Sequence, residues 1–335
     1  MEKGDRLAGT LNTLIANLQK HNAPIAPRDA FGLALDTLGA TDKRIVVIDA
    51  DLSNSTRTSI FALNHPSRFF NVGIKEQDMI SIGAGMATCG KIPIIVTYAT
   101  FLVGRGLDQI RNMVAHCNLN VKLVGTHVGL ATGEDGATHQ ALEDIGIMRG
   151  IPRMWVMSPS DAIETIRVLQ YALKTQQPVY IRISRAKEEI LHDQHYTYDP
   201  NNVEIIETFQ EKKIAILATG AMVSRSIKAA EILKKRDIRV GVINIHTIKP
   251  IDKKTLTRVA NEVELMVTVE DHNVIGGLGT AVADTMIETK SNAILRKIGV
   301  NDTFGESGSQ KDLYVKHGLT PELIAKKIIK EKEEM

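Results

Sequence analysis

The chain has 335 residues, long enough for two domains that each bury a core of their own. Hydrophobic residues make up 43% and charged residues 24%, an ordinary balance for a soluble globular protein. With 41 basic against 39 acidic residues the formal charge is +2, which gives no reason to expect nucleic acid or a membrane surface as partner.

Residues 1–20 hold no continuous apolar run, which argues against a signal peptide and a membrane span. They do set Leu7, Leu11, Leu14, Ile15 and Leu18 at helical spacing. Such a helix either docks on its own domain or packs against a second subunit. Pro24 and Pro27 then punctuate the chain and open a new segment. From there apolar runs alternate with amphipathic stretches. The runs at 44–50, 92–98, 119–125, 154–157 and 178–184 are rich in β-branched residues and predict buried strands. Helical patterns lie between them at about 28–39, 76–88, 105–116 and 160–175. The third of these sets Leu107, Ile110, Met113 and Val114 on one face. Strand alternating with helix predicts a parallel sheet wrapped by helices.

Residues 186–212 break this rhythm with a polar stretch around Asp199 and Pro200, predicting an interdomain connection. A second α/β series follows, with strands at 213–220, 238–245, 264–271 and 293–300 and a helix begun at Gly277. The Lys/Glu-rich tail after Ile329 reads as a solvated helix end. The expected division is an N-terminal helix at 1–23, a first α/β domain at 24–190, a linker at 191–212 and a second α/β domain at 213–335. The two cysteines, Cys89 and Cys117, lack metal-ligand spacing, which fits a reducing cytoplasm and neither a disulfide scaffold nor a zinc site.

In open parallel sheets ligands sit beyond the carboxyl ends of the strands. The loops to search are therefore ADLSNST, NVGIKEQ, YATF and THVGLATGEDGATHQ. Glu76 opens a helix, where exposed N–H groups favour a carboxylate, so by itself it reads as a helix-end charge. Gly83 and Gly85 behind it allow close packing. The long loop gathers His127 and His139 with Glu134, Asp135 and several glycines, a composition suited to surrounding a ligand rather than filling a core. A metal held by the two histidines and Asp135 is the alternative, but their spacing matches no standard zinc pattern. GEDG lacks the following Lys-Ser/Thr of a P-loop.

Taken together, FFNVGIKEQDMISIGAGMA, YATF and GEDGATHQALEDIGIMR resemble the pyrimidine-binding domain of the transketolase family. ISR at 183–185, LATGAMVSRSIKAAEIL, VEDHNVIGGLGTAVAD and DTFGESG resemble that family's C-terminal domain. The resemblance runs in order from about Ala23 onward and implies two three-layer α/β domains. It implies thiamine diphosphate as cofactor, with Glu76 bonding N1′ of the aminopyrimidine and Phe101 stacking on that ring. His127 matches a histidine associated with substrate phosphate, and His139 one near the reacting carbonyl, where it donates to developing oxyanions. Asp135 matches an acid bonded to a sugar hydroxyl. Arg28, Ser55 and Arg185 match the remaining phosphate clamp, in which guanidinium groups make charge-assisted bonds. Asp51 falls where the family has an acid close to the cofactor.

Two departures bear on this reading. FLVGRGL lacks the further aromatics that follow the stacking phenylalanine in many members, and Tyr98 is a candidate to replace part of that wall. There is also no GDG motif followed by an asparagine, the family's metal- and diphosphate-binding signature. The resemblance thus implies that Mg²⁺ (or Ca²⁺) and the diphosphate are held by a separate N-terminal-type subunit. An α₂β₂ assembly with sites between unlike chains is expected. The expected reaction is transfer of a two-carbon ketol unit between sugar phosphates. Three rivals share parts of the pattern. The β-chain of a 2-oxo-acid dehydrogenase carries a different histidine motif. A 1-deoxyxylulose-5-phosphate synthase usually has histidine where Gln140 stands. A non-catalytic paralogue normally loses the activating acid or the clamp, all of which are present here.

Overall fold

The computed structural model describes residues 2–20, 23–209 and 213–335. The side chain of Leu7 in the amphipathic pattern, and residues 210–212 of the expected linker, lie outside what is described. The chain divides into two compact units. One runs up to Val128 and includes Gly150–Tyr198; the other comprises Gly129–Arg149 and the chain from Asp199 onward.

In the first unit, β1 (Ile45–Asp49), β2 (Phe69–Asn71), β3 (Ile92–Tyr98), β4 (Lys122–Thr126), β5 (Trp155–Met157) and β6 (Val179–Ile183) lie in the order β5-β6-β4-β3-β1-β2. Every pairing in that series is parallel, with Val47 opposite Phe69 on one side and Ile94 on the other. Strands β1, β3, β4 and β6 are buried along their whole length, which is why they read as continuous apolar runs rather than alternating ones. Helix Pro27–Thr41 contributes Phe31, Leu35 and Leu38 to the core, and helix Ala162–Ala172 contributes Ile163, Ile166 and Leu169. Helix Glu2–Gln19 buries Leu11 and Ile15 in the same cluster, so its apolar stripe is spent at least partly on its own unit.

Helix Glu76–Thr88 matches the predicted bounds. Gly83 packs it on the sheet: a Cβ there would lie 2.5 Å from Ile95 Cδ1, whereas Gly85 faces open space. The next helix differs from expectation. It begins at Ala99 rather than 105, runs to Gln109, and passes into a π-helical turn at Ile110–Ala115. Its opening residues, Ala99-Thr100-Phe101-Leu102, carry no charge and show no amphipathic period, so the start is hidden in the sequence.

The second unit holds β7 (Glu204–Glu207), β8 (Ile214–Ala218), β9 (Val240–Asn244), a short β10 (Thr247–Lys249), β11 (Leu265–Asn273) and β12 (Ile294–Val300). Its sheet has the order β12-β11-β8-β9-β7, parallel except where β7 runs against β9. Its core is built from Leu217, Ile243, Leu256, Met266, Leu278 and Val282. Strand β7 lies inside the stretch expected as a linker. It is a four-residue edge strand with both faces partly wet, too short and too polar to show a period. Upstream of it, residues 186–198 are tied to the first unit: Leu191 and His192 donate their amides to Asp161 Oδ2 at 2.7 and 3.0 Å, and Glu188 bridges to Ile25. Both cysteines are free and exposed. Among the described residues no helix is long and apolar enough to cross a membrane.

Candidate active site

The parallel strands of the first unit deliver the predicted residues to one edge of the sheet. Tyr98 ends β3, His127 follows β4 directly, Arg185 follows β6, and Asp51 follows β1. Arg28 comes from the first turn of helix Pro27–Thr41, behind Pro27, which is preorganised for a helix start.

His127 is 2% exposed and adopts a left-handed backbone conformation (φ 57°), uncommon for a non-glycine residue. Three neighbours fix its ring. Tyr98 stacks on it with centroids 3.7 Å apart, Arg28 Nη1 lies 3.0 Å from Nε2, and Thr126 Oγ1 lies 3.0 Å from Nδ1. A guanidinium can only donate, so Nε2 is the acceptor. The imidazole is therefore neutral, with its proton on Nδ1 and donated to Thr126 Oγ1. Arg28 Nη1 also donates to the Ser55 carbonyl at 3.1 Å, so Ser55 enters the cluster through its backbone.

Positive charge accumulates here. Burial and the neighbouring Arg57 push the Arg28 pKa down, Asp29 opposes this, and Arg185 adds to it. Arg28 Nε is buried without a hydrogen-bond partner, 4.0 Å from Asp29 Oδ1. Arg57, which the sequence did not single out, sits in left-handed conformation (φ 68°) between two short helices and donates to Asp29 Oδ1 at 2.6 Å.

Glu76 is the first residue of its helix and is 4% exposed. Arg105 Nη1 donates to its Oε1 at 2.6 Å, and the same guanidinium lies 4.2 Å from the Phe101 ring centroid. Phe101 in turn stacks on Tyr98 at 5.6 Å with the planes 12° apart. An unbroken row thus runs from Glu76 through Arg105, Phe101, Tyr98 and His127 to Arg28. A helical pattern that begins only at 105 hides the role of Arg105. With the start at Ala99, Phe101 and Arg105 fall at i and i+4 on one face. Asp51 stands apart from this row: it is exposed, and it exchanges hydrogen bonds with Asn71 at the end of β2.

Asp135 and His139 belong to the second unit, on a 3₁₀ segment, Leu130–Asp135, and the turn after it. Asp135 is exposed and His139 half-buried, with Thr138 Oγ1 at 2.9 Å from its Nδ1.

The residues of the first unit fit an aminopyrimidine. A buried carboxylate and an aromatic face lie close enough to share one guanidinium; the carboxylate offers an acceptor for a ring nitrogen and the aromatic face a surface for stacking.

Two family models match the chain: "Transketolase, pyrimidine binding domain" over residues 23–188 and "Transketolase, C-terminal domain" over residues 203–324. A Methanocaldococcus jannaschii protein provisionally named a transketolase C-terminal section is 42% identical over 91% of this chain and 95% of that protein. The 1-deoxy-D-xylulose-5-phosphate synthase of Clostridium tetani is 35% identical over 90% of this chain, which spans only 48% of that enzyme. A solved structure described as a split gene transketolase, an inactive β4 tetramer, superposes with a TM-score of 0.82 at 38% identity, covering 92% of this chain and 98% of that one. The chain is a member of the transketolase family, carrying its pyrimidine-binding and C-terminal domains.

Proposed function

We propose that the chain is the pyrimidine-binding subunit of a split, thiamine-diphosphate-dependent transketolase. It moves a two-carbon ketol unit from a ketose phosphate to an aldose phosphate. The observation that carries this reading is the row of contacts from a buried glutamate, through an aromatic face, to a neutral histidine set against arginine. When bound, thiamine diphosphate would supply a carbanion-stabilising centre for the two-carbon unit.

The chain's own residues take defined parts. Glu76 accepts a hydrogen bond from a proton-bearing ring nitrogen of the cofactor, and its burial keeps that bond out of water. Phe101, walled by Tyr98, holds the ring plane. Arg28 and Arg185, with His127 beside them, take the terminal phosphate of the sugar through charge-assisted bonds. Within the second unit, Asp135 bonds a sugar hydroxyl and His139 donates to the carbonyl oxygen that gains charge when that carbonyl is attacked. The diphosphate and Mg²⁺ (or Ca²⁺) are assigned to a partner chain of the N-terminal type, in an α₂β₂ assembly. That assignment draws on the relatives named as a transketolase section and as a split gene product, which this chain spans over 95% and 98% of their lengths.

The similarity to 1-deoxy-D-xylulose-5-phosphate synthase supports one alternative, in which the complex makes 1-deoxy-D-xylulose 5-phosphate. The assembled complex should be given xylulose 5-phosphate with ribose 5-phosphate, and separately pyruvate with glyceraldehyde 3-phosphate. A seven-carbon ketose phosphate from the first pair supports ketol transfer. Carbon dioxide from the second pair, with no turnover of the first, replaces it with the synthase reading.

A further inference from the structure

The loop GEDGATHQ falls within the stretch matched to the pyrimidine-binding domain, yet Gly129–Arg149 packs as part of the second unit. Its attachment is specific. Asp271, 5% exposed near the end of β11, accepts from the amides of Leu130 at 2.9 Å and Ala131 at 3.4 Å, which open the 3₁₀ segment. Tyr314 donates to the same carboxylate at 2.8 Å. The fit is close enough to exclude a side chain at Gly129. That residue has φ +67°, and a Cβ there would lie 2.2 Å from Asp271 Oδ2.

A second anchor lies beside His139. Gln140 is 3% exposed, and its Nε2 donates to Gly133 O at 3.1 Å and to Glu306 O at 2.9 Å. It therefore closes the loop on itself and fastens it to DTFGESG. Gly136 (φ +77°) seats the turn between the two anchors against Ser307, whose Oγ a Cβ would approach to 2.6 Å. Further along, Asn273 donates its amide to Leu142 O at 2.7 Å, and Arg149 donates to Gly276 O at 2.6 Å. Leu130, Gln140, Leu142 and Ile145 are buried, while Glu134, Asp135, Ala137 and Thr138 between them are exposed and His139 is half-buried. The anchors are thus buried and the predicted substrate residues are displayed.

We propose that the C-terminal domain is the scaffold of the substrate loop, with Asp271 and Gln140 as positioning residues for Asp135 and His139. The roles of Asp135 and His139 rest on the ketol-transfer reading above; the anchoring does not. A carboxylate receiving backbone N–H groups makes strong, directional bonds, so Asp271 sets where the 3₁₀ segment begins. Gln140 sets where it ends. A shift of the loop by about 1 Å would be enough to misplace a catalytic donor and cost on the order of a hundredfold in rate.

The test has two arms. Hydrogen–deuterium exchange on the chain should show the amides of residues 129–140 losing protection by about ten- to a hundredfold in Asp271→Ala. Gln140→Met should do the same over 133–140, with β8, β9 and β11 unchanged in both. Asp271→Asn, which keeps an acceptor oxygen for Leu130, should restore most of the protection. In the assembled complex, Asp271→Ala should lower kcat by on the order of a hundredfold, leave KM for the sugar phosphate within about twofold, and be largely rescued by Asp271→Asn. Unchanged exchange over 129–140 in both Asp271→Ala and Gln140→Met overturns the scaffold. Loosened exchange with unaltered kcat overturns the positioning role. If the wild-type complex transfers no ketol unit, the functional reading fails while the exchange arm still decides the scaffold.

Discussion

The Arg105 guanidinium reaches Glu76 Oε1 at 2.6 Å while lying 4.2 Å from the centre of the Phe101 ring. It covers both groups proposed to receive the aminopyrimidine, so it must give way when that ring docks. Its side chain is 50% exposed, so the guanidinium can swing out into solvent, but the Glu76 side chain is only 5% exposed and needs a new partner when it does. The ring nitrogen proposed to dock there would supply that partner. Replacing Arg105 by Met should tighten thiamine diphosphate binding by up to about fivefold, measured by calorimetry on the assembled complex. Weaker binding in the variant would instead make Arg105 a support for the bound cofactor.

Glu76→Gln keeps the volume and the hydrogen-bonding reach at a buried helix start but removes the negative charge. Ketol transfer should fall by about a hundredfold or more, the usual range for a lost acid–base group, with the oligomeric state unchanged by sedimentation. Substantial turnover in the variant would remove Glu76 from the mechanism.

Arg28 both faces the proposed phosphate position and holds His127 in its neutral, Nδ1-protonated form. Lysine can supply a charge there but not the planar fork. Arg28→Lys should raise KM for the sugar phosphate by about tenfold, the cost of a charged hydrogen bond, with a smaller change in kcat. Steady-state kinetics with phosphorylated and unphosphorylated acceptors would check this, since the latter should be insensitive to the change.

Lys122 tests an electrostatic cost elsewhere in the first unit. It is buried at the start of β4, with Nζ donating to Thr175 O at 2.9 Å and Gln177 O at 2.7 Å, and burial lowers its pKa from 10.5 to about 7. Between these values the unfolded chain holds a proton that the folded chain has released. Unfolding therefore takes up a proton, and stability gains from raising the pH through this window, by at most about 1.4 kcal/mol per unit. Urea unfolding of Lys122→Met and the wild type should show the wild type gaining on the variant between about pH 7 and pH 10. A gap independent of pH would contradict the depressed pKa.

The fold was largely legible because the strands are buried on both faces and spell it out in uninterrupted runs such as IPIIVTY, which is β3 residue for residue. Strand β7 was not, because an edge strand of four residues has neither length nor a dry face to pattern it. Glu76, Phe101, Tyr98, His127 and Arg28 were named from motifs, and the structure joins them in one contact row. Arg105, Arg57 and Asp271 were invisible for a different reason. Each acts through a partner distant in sequence or through a helix phase that a six-residue error in the start conceals. The packing of GEDGATHQ on the second unit could not be read from its composition either, since the residue that holds it, Asp271, is far along the chain.

The most direct test is the rate of ketol transfer from xylulose 5-phosphate to ribose 5-phosphate, with thiamine diphosphate and Mg²⁺ present. It should be measured for this chain alone, for a chain carrying the diphosphate-binding domain alone, and for the two mixed. The account predicts turnover only in the mixture, rising with partner concentration to a plateau at equal subunits. Turnover by this chain alone would contradict the assignment of the diphosphate and metal to a partner.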